Sequence, residues 1–159
     1  MIAEGAFLFS IAAVSMSLAS LAGLVIAFRR AGMWAAYDLY RLRQIVEWGF
    51  ANVILALLAF PLAGALGSET DALRALGAVT LAYVVANVLV LERRRGATPS
   101  LVRLTPLIAA IDIALVMLAT ATAILATMSV WEIALLLLVA RPMVAFLYVL
   151  ATLGREDAA

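Results

Sequence analysis

The chain has 159 residues, 67% of them hydrophobic and 13% charged, with a formal net charge of +1 and a mean hydropathy of +1.15. Soluble domains run roughly half apolar and a quarter charged, and a soluble fold of this length has too much surface to hide so much apolar area; the composition predicts an all-α bundle in a bilayer. There is no cysteine, histidine or lysine, which excludes thiol nucleophiles and disulfides, the usual ligands of zinc and of His-ligated haem and any lysine Schiff base; no metal site and no cofactor are expected.

The first apolar run spans 6–28 and carries no charge. It is long enough to cross a hydrocarbon core of about 30 Å. An acidic start, with Arg29 and Arg30 placed after the run, is unlike a cleavable signal peptide. Ser15, Ala19, Gly23 and Ala27 recur every four residues. Such a ladder of small side chains favours close helix packing, within the chain or as a seam between copies. The lack of charge makes this span the best candidate for a peripheral helix.

The segment 29–43 interleaves Trp34, Tyr37 and Tyr40 with Asp38, Arg41 and Arg43. It reads as an aromatic belt with retention arginines, or as an interfacial binding helix. The second span covers 44–66. Glu47 and Asn52 are its polar members, and Glu47 lies one turn from Arg43. Pro61 is expected to end this helix. A short polar turn, Gly67-Ser68-Glu69-Thr70-Asp71, leads to the third span at 72–91. Ser68 or Thr70 suits its N-cap, and the acids suit its positive end. Thr80, Tyr83 and Asn87 form a polar stripe along it, which Arg94 continues.

Residues 101–153 are too long for one span. Thr105-Pro106 reads as N-cap and first helical residue, which gives a fourth span at 106–127. A break is expected at Ser129-Val130-Trp131-Glu132, because a Trp beside a charge suits the interface. The fifth span is then 131–153. Four spans with a kinked C-terminal segment is the alternative.

Charge placement bears on the count. With the N-terminus outside and the C-terminus inside, nine of the eleven arginines fall in the inner segments, and only Arg74 and Arg141 do not. That matches the positive-inside pattern and an odd number of spans. All 159 residues read as one membrane domain, and the location expected is a bacterial inner membrane. Arg29, Arg30 and the run Arg93-Arg94-Arg95 would face anionic lipid at the inner face.

Asp112 in the fourth span and Arg141 in the fifth are the two deep charges. An ionisable side chain at a helix centre costs roughly 2.5–3.5 kcal/mol on insertion scales, so each needs a reason. Their helical faces carry mostly small residues, and both charges are expected to point into protein, with Leu135 to Leu138 mostly turned elsewhere. Asp112, Asn52 and Asn87 come to similar depths, Asp112 at about 10 Å from the inner end by the helical rise. Helical side chains lean toward their own N-terminus, which tips Asp112 and Arg141 apart and leaves a direct pair open. Pro142 withholds a backbone donor from the Leu138 carbonyl, a candidate hinge beside Arg141.

Three readings follow. The first is a small homo-oligomeric channel or transport-like protein, with Asp112, Arg141, Asn52, Asn87, Tyr83 and Glu47 along a polar path. The second is a non-catalytic membrane subunit of a larger complex. The third, weakest for want of an acid cluster, is a lipid-modifying enzyme. The expected partners are the bilayer and further copies of the chain, with no nucleic acid.

Overall fold

The computed structural model describes the backbone at 5–28, 36–97 and 106–156 and the side chains at 5–27, 39–90 and 106–151. Among these residues there are five α-helices: α1 (Gly5–Phe28), α2 (Ala36–Leu66), α3 (Glu69–Ala97), α4 (Pro106–Leu125) and α5 (Met128–Glu156). Each contains a stretch long and apolar enough to cross a membrane, as a multi-pass membrane protein requires.

The outward faces agree with that reading. Phe9, Ile54, Ile113, Met117 and Ile124 are large, apolar and exposed. So much greasy surface has no place in water. Inside, Trp48, Leu55, Leu76, Leu115, Trp131, Leu135 and Leu138 form the main core. A smaller cluster of Ala22, Leu42, Ile45, Ala145 and Val149 fills the far end, where α1, α2 and α5 meet.

The helix α2 is central and touches α1, α3 and α5, whereas α1 reaches only α2 and α5, so it lies at the edge. The two run antiparallel: Phe9 stacks on Phe60, and further along Ser15 bonds Asn52. Small residues set the closest approaches. A Cβ on Gly49 would sit 2.9 Å from the Ala19 methyl and 3.0 Å from the Ser15 carbonyl oxygen. A Cβ on Gly77 would fall among the backbone atoms of Thr122 and Ala123, so α3 and α4 touch backbone to backbone there.

Two short turns reverse the chain at one end of the bundle. In the first, Gly67 takes a left-handed φ of 62°. Such a φ is cheap only without a Cβ. Ser68 then accepts the Asp71 amide at 3.3 Å on its hydroxyl, capping α3. In the second turn Ala126 has φ 52°, and its amide donates to the Thr122 carbonyl at 2.9 Å, closing α4.

Several boundaries differ from the sequence reading. The break between the last two helices is at Ala126–Thr127, not at Ser129–Glu132. One left-handed residue suffices to reverse the chain, and Trp131, inside α5, is fully buried in the core. Pro61 does not end α2, which continues to Leu66. Proline removes a single donor, and its exposed ring points away from the bundle. α2 also begins about two turns earlier than the apolar run, because an apolar run marks the bilayer and not the helix. Leu135 and Leu138 are fully buried, while Leu136 between them is exposed. The apolar run therefore has an inward face as well as an outward one.

Candidate functional site

The deep charges meet. The Arg141 Nε–H donates to Asp112 Oδ1 at 2.5 Å, and Nη2 donates to Oδ2 at 3.3 Å. Both residues are only 6% exposed, so this is a bidentate pair sealed between α4 and α5. The side-chain lean along each helix does not keep them apart, since the long arginine spans the offset.

The other side of the guanidinium faces α2. Its carbon lies 3.7 Å from the centroid of the Trp48 ring. A cation over an indole face is attracted by the ring quadrupole, and more so when water is excluded. Tyr83 of α3 meets the same indole edge-on at 5.3 Å. One level of the bundle thus joins all four helices α2 to α5 around one arginine.

A hydrogen-bonded chain leads from that level to the bundle end. The Trp48 indole N–H donates to Gln44 Oε1 at 3.3 Å. Gln44 Nε2 donates to Glu47 Oε2 at 3.0 Å. Arg43 Nε donates to Glu47 Oε1 at 2.9 Å, the pairing expected from their spacing. Glu47 therefore belongs to the exposed end of this chain and not to the deep cluster.

One turn in the other direction lies a second polar level. Asn52 Nδ2 donates to the Ser15 hydroxyl at 2.9 Å. Asn52 and Thr80 are fully buried, and Asn52 Oδ1 and Thr80 Oγ1 have no protein partner. Asn87 lies beside Tyr83, one turn further along α3. Its amide donates to its own helix, at the Tyr83 carbonyl, 3.0 Å away. Pro142 is buried within an α5 that continues on both sides of it.

The small-residue ladder on α1 divides. Ser15 and Ala19 are buried inside the chain against Gly49. Gly23 has open space around it, and Ala27 is exposed. A different row faces outward: Ala6, Ser10, Ala13, Ser17, Ser20, Leu24 and Ala27, all exposed, at alternating steps of four and three. Its signal was in the sequence, but a four-residue search passes over a seven-residue repeat. Arg41 was missed too. It is buried, 8% exposed, and stands 5.1 Å from the Tyr148 ring centroid, where the sequence suggested a surface retention charge. Arg29 and Arg30, and the side chains of Arg93, Arg94 and Arg95, lie outside the described residues.

Among the described residues no three acidic side chains gather where a metal ion could sit. The chain matches no protein-family model, no curated protein and no solved structure.

Proposed function

We propose that the chain is a non-catalytic integral membrane subunit that works by assembling with other membrane helices. The observation that carries this reading is the internal use of both deep charges. Arg141 and Asp112 are bound to each other and covered by Trp48, which is how a staple is built. A selectivity element would face a path instead.

The outward row on α1 supports the second half of the reading. Alanine and serine at heptad spacing let another helix backbone come close, which is what drives association in lipid. We assign the same row as the seam for a second copy of the chain. The chain has no cysteine, so Ser20→Cys gives a single cross-linking site. Disulfide-linked dimers in native membranes, abolished by Ala13→Leu with Ser17→Leu, support the seam. Monomer alone, at any oxidant level, refutes it.

A transport-like role is the second reading, favoured by the unpartnered Asn52 and Thr80 one turn from the ion pair. Ion flux in proteoliposomes that responds to Asp112→Asn or Arg141→Gln would establish it over the first. The arginine distribution supports an N-terminus outside and a C-terminus inside a bacterial inner membrane. Impermeant maleimide labelling of single cysteines at the two turns tests that orientation. Anionic lipid at Arg29, Arg30 and Arg93 to Arg95 belongs to the same proposal.

A further inference from the structure

Three buried side-chain atoms among the described residues have no partner, Asn52 Oδ1, Thr80 Oγ1 and Trp131 Nε1, and helical register sets the first two at one level. We propose that the interior between α2 and α3 holds a bound water molecule, bridging Asn52 Oδ1 and the Thr80 hydroxyl beside the Asp112–Arg141 pair.

Four observations support it. Both side chains are 0% exposed, yet Oδ1 and Oγ1 have no partner. The other half of the Asn52 amide is committed to Ser15. Turning the amide over would satisfy Ser15 equally and leave an N–H donor in the same place, which a water also serves.

Thr80 differs from four other hydroxyls within the helices. Thr120 donates to the Val116 carbonyl at 2.7 Å and Thr122 to the Leu118 carbonyl at 2.9 Å. Ser10 and Ser17 do the same with the carbonyls of Ala6 and Ala13, each at 2.8 Å. This bond back to the preceding turn is the default for a hydroxyl in an apolar helix. Thr80 does not make it.

Register brings the two groups to one level. Trp48 and Tyr83 touch across α2 and α3, which run antiparallel through the Gly67 turn. One turn on along α2 is Asn52, and three residues back along α3 is Thr80. Both steps lead toward the same end of the bundle and stay on the same faces.

A further acceptor lies nearby. Pro142 leaves the Leu138 carbonyl without its helical donor, and Leu138 and Pro142 are both buried. With Arg141 at the level of Trp48, Leu138 comes level with Asn52. Asp112 takes two of the five Arg141 N–H groups.

The energetics favour occupancy. An unsatisfied polar group in the bilayer interior keeps its full desolvation penalty, which outweighs the entropy lost in immobilising one water. The chemistry selects water over an ion. Asp112 already neutralises Arg141, and the site offers acceptors together with a hydroxyl. A neutral molecule that both donates and accepts, with two to four partners, fits that set.

The test is a structure of the whole chain in lipid nanodiscs, at a resolution that shows ordered water. Density within about 3.2 Å of both Asn52 and Thr80 is the expected result. A direct Asn52–Thr80 bond, or a Thr80 hydroxyl turned to the Leu76 carbonyl, overturns the proposal. Thermal midpoints in detergent give a second readout. Asn52→Leu and Thr80→Val should each lower the midpoint, and the double variant should lower it by less than their sum, because the water leaves once. Strict additivity counts against the site. Thr80→Ser keeps the hydroxyl and should match the parent, which separates loss of water from failure to fold. None of these readouts depends on flux or on association between copies.

Discussion

The guanidinium of Arg141 rests 3.7 Å from the centroid of the Trp48 ring while its edge binds Asp112. Face and edge of one side chain thereby tie α5 to α2 and to α4. The arginine is held by a cation–π contact and a charge-assisted fork at once, and neither contact displaces the other.

Replacing Trp48 should therefore loosen more than its own volume. Trp48→Ala removes a fully buried indole from the core, at about 3–5 kcal/mol for such truncations. Trp48→Phe keeps a ring face under Arg141 and should lose clearly less. Unfolding in mixed micelles, followed by circular dichroism, gives the order: parent, then Phe, then Ala.

The ion pair should behave as a unit. Asp112→Asn leaves a buried guanidinium without its counter-charge, and Arg141→Gln leaves a buried carboxylate. Breaking one partner of a buried pair costs about 3–5 kcal/mol. Asp112→Leu combined with Arg141→Met removes both charges and should be more stable than either single variant. If the double variant is the least stable of the three, the pair is not acting as a staple.

Glycine positions separate by what surrounds them. Gly77→Ala drives a methyl into the α4 backbone at Thr122–Ala123. Overpacking of this kind costs typically about 1–3 kcal/mol. Gly23→Ala enters open space and should be neutral or stabilising, since alanine is the better helix former by roughly 1 kcal/mol. Thermal midpoints of the two variants should move in opposite directions or differ by several degrees.

The exposed pair at the start of α2 should matter little. Arg43 and Glu47 bond at 2.9 Å, but their side chains are 70% and 43% exposed. Pairs of this kind contribute about 0–1 kcal/mol. Glu47→Gln should leave the midpoint within a degree or two in moderate salt. A large loss would mean that the Gln44–Trp48 link, and not the ion pair, depends on the carboxylate.

How much of this was legible in the sequence depends on the scale of the interaction. Spans were legible because a bilayer demands long apolar runs, and Asp112 and Arg141 stood out because charge is rare within them. Their union was not legible. Lean along the helix argued against it, and only the register of α4 on α5 decides whether an arginine can span the gap. Trp131 was read as part of the break, since it stands beside a glutamate. Neighbours in sequence point to different sides of a helix, so Glu132 says nothing about which way Trp131 faces. Arg41 was misplaced for the same reason: a charge near a helix end can still lie under a neighbouring helix. Thr80 was noticed only as one of a stripe, and its missing back-bond is a rotamer fact that no sequence contains.

The two reversals at Gly67–Ser68 and Ala126–Thr127 each use two residues outside helix. In both, a residue with positive φ is part of the bend. At that end the described protein presents little more than two bends to the surrounding medium. Among the described residues, an antibody, a soluble ligand or a protease approaching from there meets only these bends and the start of α1. An insertion there would lengthen a reversal that now takes two residues. Epitopes and fusion partners should be placed elsewhere on the chain.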